Sequence, residues 1–399
     1  MLDIKSVLVI DLAVEDRIFR ISQTAHDDFV DRYKLRPDGK TGLNTSDFCA
    51  MGRELSRWQP RYALGGSGGT LARTLKGLLP AIDVHFLSAI GGTPYGIEMK
   101  SLFRKAGVLF QQPQDPNYSL SAHHAVTLVL LPEIGGRTYA TYPGNFGRVL
   151  RGEPYFCTNL IRKCDVIHLL GTNREDERLG WSYVDNILKL RWEHNKILWL
   201  NLPTHKNFAQ ANAGHFQYLI PSAHVVLGNT DELKWTYGTE DMNEALADLQ
   251  QSLAQSVLAK EGRLLPGQEP VAFITDDKRA AWVVTATSCI AVLPKMVASS
   301  QIVSNGGAGD NALAGFLAGL IKGLPYDIAA QIGHALAAQK LRQLAPCLDD
   351  VKKALQEEDR RLAEAMFGNV VIFPKRAPTP PAHAVDRAWR RNMERAAAE

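Results

Sequence analysis

The sequence predicts an α/β protein, a three-layer α/β/α sandwich around a mostly parallel central sheet, carrying a small β-rich lid. Three observations support this. Short apolar, β-branched runs recur along the chain, helix-periodic segments separate several of them, and two turn-rich inserts break the alternation. At 399 residues, 45% hydrophobic and 22% charged, the chain has material for one large or two modest packed units.

The strand-like runs are Val7 to Ile10, Val84 to Ala89, Val126 to Leu131, Val166 to Leu170, Ile197 to Leu200, Val225 to Leu227 and Val271 to Thr275. Between them, Gly69 to Leu79, Leu179 to Arg191 and Asn243 to Leu258 repeat apolar residues at helical spacing. Strands alternating with helices pair in parallel, and ligands then gather along the carboxyl ends of the strands. The inserts, residues 15–60 and 111–143, carry the turn signals Pro37-Asp38-Gly39 and Ile134-Gly135-Gly136. They read as a lid that excludes water from a reaction, or as peripheral loops. The expected division is therefore a core of residues 1–14, 61–110 and 144–373, a lid of 15–60 and 111–143, and a tail of 374–399. The tail is rich in Pro, Arg and Ala, a linker followed by a short helix with no catalytic role.

Composition narrows the function classes. The net charge of +3 resides in the tail, where Lys375, Arg376, Arg387, Arg390, Arg391 and Arg395 face only Asp386, Glu394 and Glu399. The body lacks the basic stripe that a nucleic-acid backbone requires. Cys49, Cys157, Cys164, Cys289 and Cys347 form no CxxC pair, so neither a disulfide framework nor structural zinc is expected. Adjacent His123 and His124 do not have the usual metal-ligand spacing. The opening MLDIKSVLVIDLAVED reads as a buried strand, and no stretch reaches membrane length. A cytoplasmic protein is expected, without nucleic-acid or membrane partners.

The chemistry begins at Ser304, where SNGGAGDNALAGFLAGLIKG leads a glycine-rich turn into an apolar helix. Glycines there turn backbone N–H groups inward, and the helix dipole adds positive potential, making an anion cradle from Gly307, Ala308 and Gly309. Asp310 inside it suits a general base better than a phosphate ligand, because like charges repel. A plain N-terminal cap is the other reading. A second cluster, Gly65-Gly66-Ser67-Gly68-Gly69-Thr70, offers bare backbone and two hydroxyls to a hydroxyl-rich ligand. It is neither a Walker loop nor a dinucleotide fingerprint. A third, Asn229-Thr230-Asp231-Glu232, puts an amide and a carboxylate three residues apart after a buried run. That suits a hydrated magnesium ion with its phosphates, or a capping box. No site built from protein ligands alone is expected for the metal.

With GGSGGT, NxxE and GAGD in this order, the chain resembles the PfkB family of ribokinase-like carbohydrate and nucleoside kinases over roughly residues 1 to 350. The resemblance implies a ribokinase-like fold, with ATP as donor and Mg2+ as cofactor. It implies Asp310 as base, the amides of Gly307 to Gly309 as anion hole, and Asn229 and Glu232 as magnesium-placing residues. It also implies acceptor hydroxyls held by Asp16 and the Gly65, Gly66, Ser67 and Thr70 corner. The lid entry HDDFVDRYKLRPDG and the stretch around His334 resemble adenosine kinases and inosine–guanosine kinases. In GGRTYATYPGN, Arg137 matches an arginine that such kinases turn toward the phosphates. Asn145 of the same stretch joins the acceptor-binding set.

The chain departs from the family pattern at Thr70 and Leu12, where asparagines are usual, around Ser304 and Asn305, and in the nucleotide loop TDDKRAAW. The reading is an ATP-dependent kinase acting on the 5′-hydroxyl of a purine nucleoside, monomeric or homodimeric. A sugar kinase of the same family and a catalytically weak nucleoside-binding homologue are its alternatives.

Overall fold

A computed structural model of the protein describes residues 4–37, 39–112, 124–134, 136–144, 154–170, 180–204, 206–260, 269–277, 279–294, 296–302, 306–343 and 370–371. The expected tail, with Asn145, His123, Ser304 and Asn305, lies outside the described residues.

The larger sheet runs β15 (Val370–Val371), β14 (Cys289–Val292), β13 (Ala280–Thr285), β12 (Val271–Asp276), β11 (Val225–Asn229), β10 (Ile197–Asn201), β9 (Val166–Leu169), β1 (Ser6–Ile10), β5 (Asp83–Leu87) and β6 (Leu109–Gln111). Strands β6 through β12 in that spatial order pair in parallel, and β12 to β15 continue antiparallel. Alternation along β1 shows how the layers form. Val7 and Val9 enter one apolar cluster, while Leu8 and Ile10 enter the other.

The first cluster is covered by α3 (Ser67–Leu78), α4 (Pro94–Lys105), α12 (Ala308–Ile321) and α13 (Tyr326–Arg342). The second is covered by α5 (Pro154–Lys163), α6 (Gly180–Glu193), α8 (Ala213–Leu219), α9 (Thr230–Tyr237) and α10 (Met242–Ala254). Short helices α7 (Lys206–Ala211) and α11 (Val257–Lys260) precede α8 and follow α10 in the chain. The expected α/β/α sandwich is thus observed.

A separate five-stranded sheet runs β3 (Lys40–Gly42), β8 (Thr138–Tyr142), β7 (Ala125–Leu131), β2 (Val14–Arg20) and β4 (Arg61–Gly65). Its last strand extends past the expected boundary at residue 60, because residues 61–65 pair antiparallel with residues 14–18. Helices α1 (Gln23–Tyr33) and α2 (Thr45–Leu55), which the sequence reading did not anticipate, pack on one face against Phe19, Val126, Leu128, Leu130 and Ala140. Register then fixes the opposite face. Asp16 pairs with Thr127 and Thr127 with Thr141, while Val129 pairs with Tyr139 and Tyr139 with Lys40. Paired residues share a face, so Asp16 and Lys40 lie together on the side that the lid helices leave open.

Candidate active site

The glycine-rich turn runs into a helix where the sequence places it. Gly307 precedes α12 at φ 78°, a left-handed conformation that only glycine adopts freely, and no side chain caps the helix. The amides of its first turn thus have no side-chain cap, a geometry that suits an anion. Asp310 stands in that turn, half-buried. Burial raises its pKa above the usual carboxylate range, while the Lys40 ammonium and a hydrogen bond from the Ser67 side chain draw it back. The two glycine motifs meet here. A Cβ built on Gly307 would lie 3.6 Å from Thr70 Cγ2 and 3.9 Å from Asp310 Oδ2.

The second glycine cluster turns from β4 into α3 through Gly66, which sits at φ 89°. Asp16 packs over Gly65 so closely that a Cβ there would overlap its carboxylate. Asp11, at the carboxyl end of β1 and only 3% exposed, accepts the Gly68 N–H at 2.6 Å. Burial above all pushes both carboxyls up to about 7. Asp310 raises both further, and Arg137 and Lys40 act on Asp16 in the opposite sense. Leu12 packs with the apolar cluster of the second helical layer, so it supplies no polar group to the corner.

At the third motif both sequence readings meet. Asn229 Oδ1 accepts the Glu232 N–H at 2.9 Å, and Glu232 Oε2 accepts the Asn229 N–H at 3.0 Å, a complete capping box for α9. Glu232 is nevertheless 7% exposed and pushed up to about 8, chiefly by burial. A buried carboxylate so poorly compensated fits the outer shell of a hydrated magnesium ion, whose charge would favour its ionised form. Thr230 donates to Asp276 at 3.2 Å, joining this helix start to the TDDKRAAW loop.

Three residues escaped the sequence reading. Lys40 acts electrostatically on Asp11, Asp16, Glu232 and Asp310, which come from four separate stretches of the chain, yet it makes no ion pair among the described residues. Asp11 carried one signal, a charge ending an apolar strand at the edge where ligands gather. Asn311, 1% exposed, donates through Nδ2 to the Gly307 carbonyl at 2.7 Å and accepts from Thr74 Oγ1 at 2.9 Å.

Aromatic and histidine side chains outside these motifs make contacts of their own. Phe110 stacks with Phe103, Trp58 lies against Phe29 in the lid, and Tyr62 meets Tyr95. His334 is buried, held at the Val292 carbonyl at 3.0 Å, with its pKa pushed down to about 4 by burial. His124 meets Glu15 at 2.5 Å inside the lid. No group of three or more potential metal-ligating side chains occurs among the described residues, and no described helix is long and apolar enough to cross a membrane.

Residues 206–352 match the pfkB family carbohydrate kinase, a span that includes NxxE and GAGD. No curated protein sequence matches significantly. Among solved structures, adenosine kinase from Sinorhizobium meliloti is 20% identical with a TM-score of 0.70, covering 89% of this chain and 99% of its own. A probable sugar kinase from Rhizobium etli CFN 42 is 18% identical at a TM-score of 0.69, covering 89% and 98%. Anopheles gambiae adenosine kinase in complex with P1,P4-di(adenosine-5) tetraphosphate is 17% identical at 0.71, covering 86% and 97%. At these identities the structures establish the fold. With the match over residues 206–352 they bear out the expected likeness to PfkB/ribokinase-like kinases and a phosphotransferase acting on a hydroxyl group.

Proposed function

For a chain of PfkB/ribokinase-like kinase type, we propose transfer of the γ-phosphoryl group of ATP to the 5′-hydroxyl of a purine nucleoside, in cytoplasmic purine salvage. The observation that carries this is the meeting of Asp310, Ser67 and Thr70 at one point, with Asp16 over Gly65 beside it. A base, an anion cradle and a hydroxyl-binding corner are thereby combined.

In the proposed reaction, Asp16 and the Gly65 to Thr70 corner orient the acceptor, with Asn145 in the same role. Asp310 takes the proton from the acceptor hydroxyl as its oxygen bonds to the γ-phosphorus. The bond from that phosphorus to the β,γ-bridging oxygen breaks, and ADP leaves with the electron pair. Amides of Gly307, Ala308 and Gly309 stabilise the equatorial oxygens, and Arg137 reaches the phosphates from the lid. Magnesium, held through water by Asn229 and Glu232, would neutralise charge on the donor phosphates. Residues 15–60 and 111–143, with the strand at 61–65, form the closing lid, and the remaining sandwich forms the binding core.

The pairing of two lid arginines argues for a neutral acceptor over a phosphorylated sugar. Arg17 is paired with Glu15 at 2.6 Å, and Arg32 with Asp28 and Glu54, each at 2.5 Å. The acceptor corner itself is lined by Asp11 and Asp16. A free-sugar acceptor is the second reading, supported by Thr70, whose single hydroxyl makes fewer ribose contacts than the asparagine usual at that position. A coupled assay with ATP over adenosine, inosine, guanosine, cytidine and ribose decides between them. Turnover on a purine nucleoside is expected. Turnover on ribose alone would replace the nucleoside reading, and nucleoside binding without any transfer would indicate the non-catalytic homologue.

A further inference from the structure

We infer that Asn311 is a positioning residue for phosphoryl transfer: its carboxamide aims the Ala308 N–H into the anion cradle and ties the cradle to α3, the helix that carries the acceptor corner. The inference rests on the kinase reading above and assigns a task to a side chain that the reading leaves unused.

The Gly307 carbonyl accepts twice, from Asn311 N at 3.1 Å and from Asn311 Nδ2 at 2.7 Å. The peptide between Gly307 and Ala308 is trans, so its N–H points opposite to its C=O. Pinning the carbonyl toward the helix body therefore turns the Ala308 N–H outward, beyond the uncapped helix start, to where a transferred group carries its charge. Gly307 itself supplies no restraint, since glycine crosses between positive and negative φ at little cost. The backbone bond from Asn311 N holds the carbonyl, and the shorter bond from Nδ2 adds to that restraint.

At its other end the carboxamide accepts from Thr74 Oγ1 at 2.9 Å, and Thr74 lies one helical turn beyond Thr70 on α3. Each polar atom of Asn311 is thus engaged, one by the anion cradle and one by the acceptor helix. Packing alone does not call for asparagine here. Residues 312 to 321 of α12 are uniformly buried alanine, glycine, leucine, phenylalanine and isoleucine, and asparagine is a poorer helix former than alanine. Its polar bonds are what distinguish it from its neighbours.

The test uses the full chain with Asn311→Ala and Thr74→Val. Steady-state kinetics are measured on the preferred acceptor, and calorimetry compares MgADP alone with MgADP plus aluminium fluoride, a mimic of the group in flight. Asn311→Ala is expected to lower kcat about 10²-fold, as loss of an oriented anion-hole donor does, and to abolish most of the extra affinity that fluoride brings. Acceptor KM should stay within about threefold, because the lost interaction belongs to the transition state. Thr74→Val cuts only the link to α3 and should show a smaller loss in the same two readouts. It carries the test if thermal unfolding shows that Asn311→Ala does not fold. Both readouts within about twofold of the native protein in the folded variants would overturn the inference. If the native chain tightens on aluminium fluoride but phosphorylates no acceptor in the panel, the nucleoside assignment falls while the calorimetric arm still decides the role of Asn311. If fluoride has no effect on the native chain, both fall.

Discussion

The carboxylate of Asp16 lies across Gly65, occupying the space that a side chain at position 65 would need. The glycine is thus a steric requirement of the position of Asp16, which the proposed function gives to the acceptor. Gly65→Ala must displace Asp16 or shift β2 against β4, and a displacement of about 1 Å at an orienting group costs roughly 10²-fold in kcat/KM. Acceptor KM should rise while the affinity for MgADP is retained. Unchanged acceptor kinetics would show that Asp16 does not hold the substrate.

Asp310 is the group whose removal should hurt the chemistry most and binding least. Asp310→Asn keeps the shape and the acceptor contact with Ser67 but cannot take the proton, so kcat is expected to fall by about 10² to 10⁴. Acceptor binding, followed by calorimetry without ATP, should be nearly unaltered. A rate close to native in this variant would require another base.

Lys40 is the cation shared by the acidic site. It reaches Asp11, Asp16, Glu232 and Asp310 electrostatically from the open face of the lid without pairing with any of them. Lys40→Met removes that field. Because the side chain is exposed, fold stability should hardly change, whereas kcat should drop about 10²-fold as charge on the transferred group goes uncompensated. Lys40→Arg should restore part of the rate. Equal turnover in Met and native forms would reduce Lys40 to a lid surface residue.

These roles were unequally legible in the sequence. Glycine clusters announce themselves because few other residues tolerate the turns they make, so Gly65, Gly66 and Gly307 pointed to the two corners directly. Asn229 and Glu232 were ambiguous because a capping box and a magnesium-placing pair use the same residue types at the same spacing, and the structure shows the box without removing the buried charge. Lys40 was invisible because its position depends on strand register: only the pairing of β3 with β8 and β8 with β7 puts it on the face of Asp16. Asn311 looked like one more residue of an apolar helix, since a bond across 237 positions to Thr74 leaves no local trace. The lid helices α1 and α2 were missed for the opposite reason. Their short amphipathic stretches sit among turn residues that outweigh the helical pattern.

Buried acids should set stability and activity on opposite pH courses. Asp11 and Asp16 move from 3.8 in a free side chain to about 7 in the fold, and Glu232 from 4.5 to about 8. Between those limits the native state keeps protons that the unfolded chain has released, so the free energy of unfolding falls as pH rises. The proposed reaction needs Asp310 ionised, and burial raises its pKa too, so kcat/KM should climb with pH over a limb that is lost in Asp310→Asn. Denaturant unfolding at pH 5 and pH 8 isolates one contributor. Glu232→Gln retains a capping side chain at the start of α9 but no ionisable proton, so its stability should decline less between the two pH values than that of the native protein. An equal decline in both proteins would mean that Glu232 keeps an ordinary pKa, and with it the argument for a cation beside NxxE would fail.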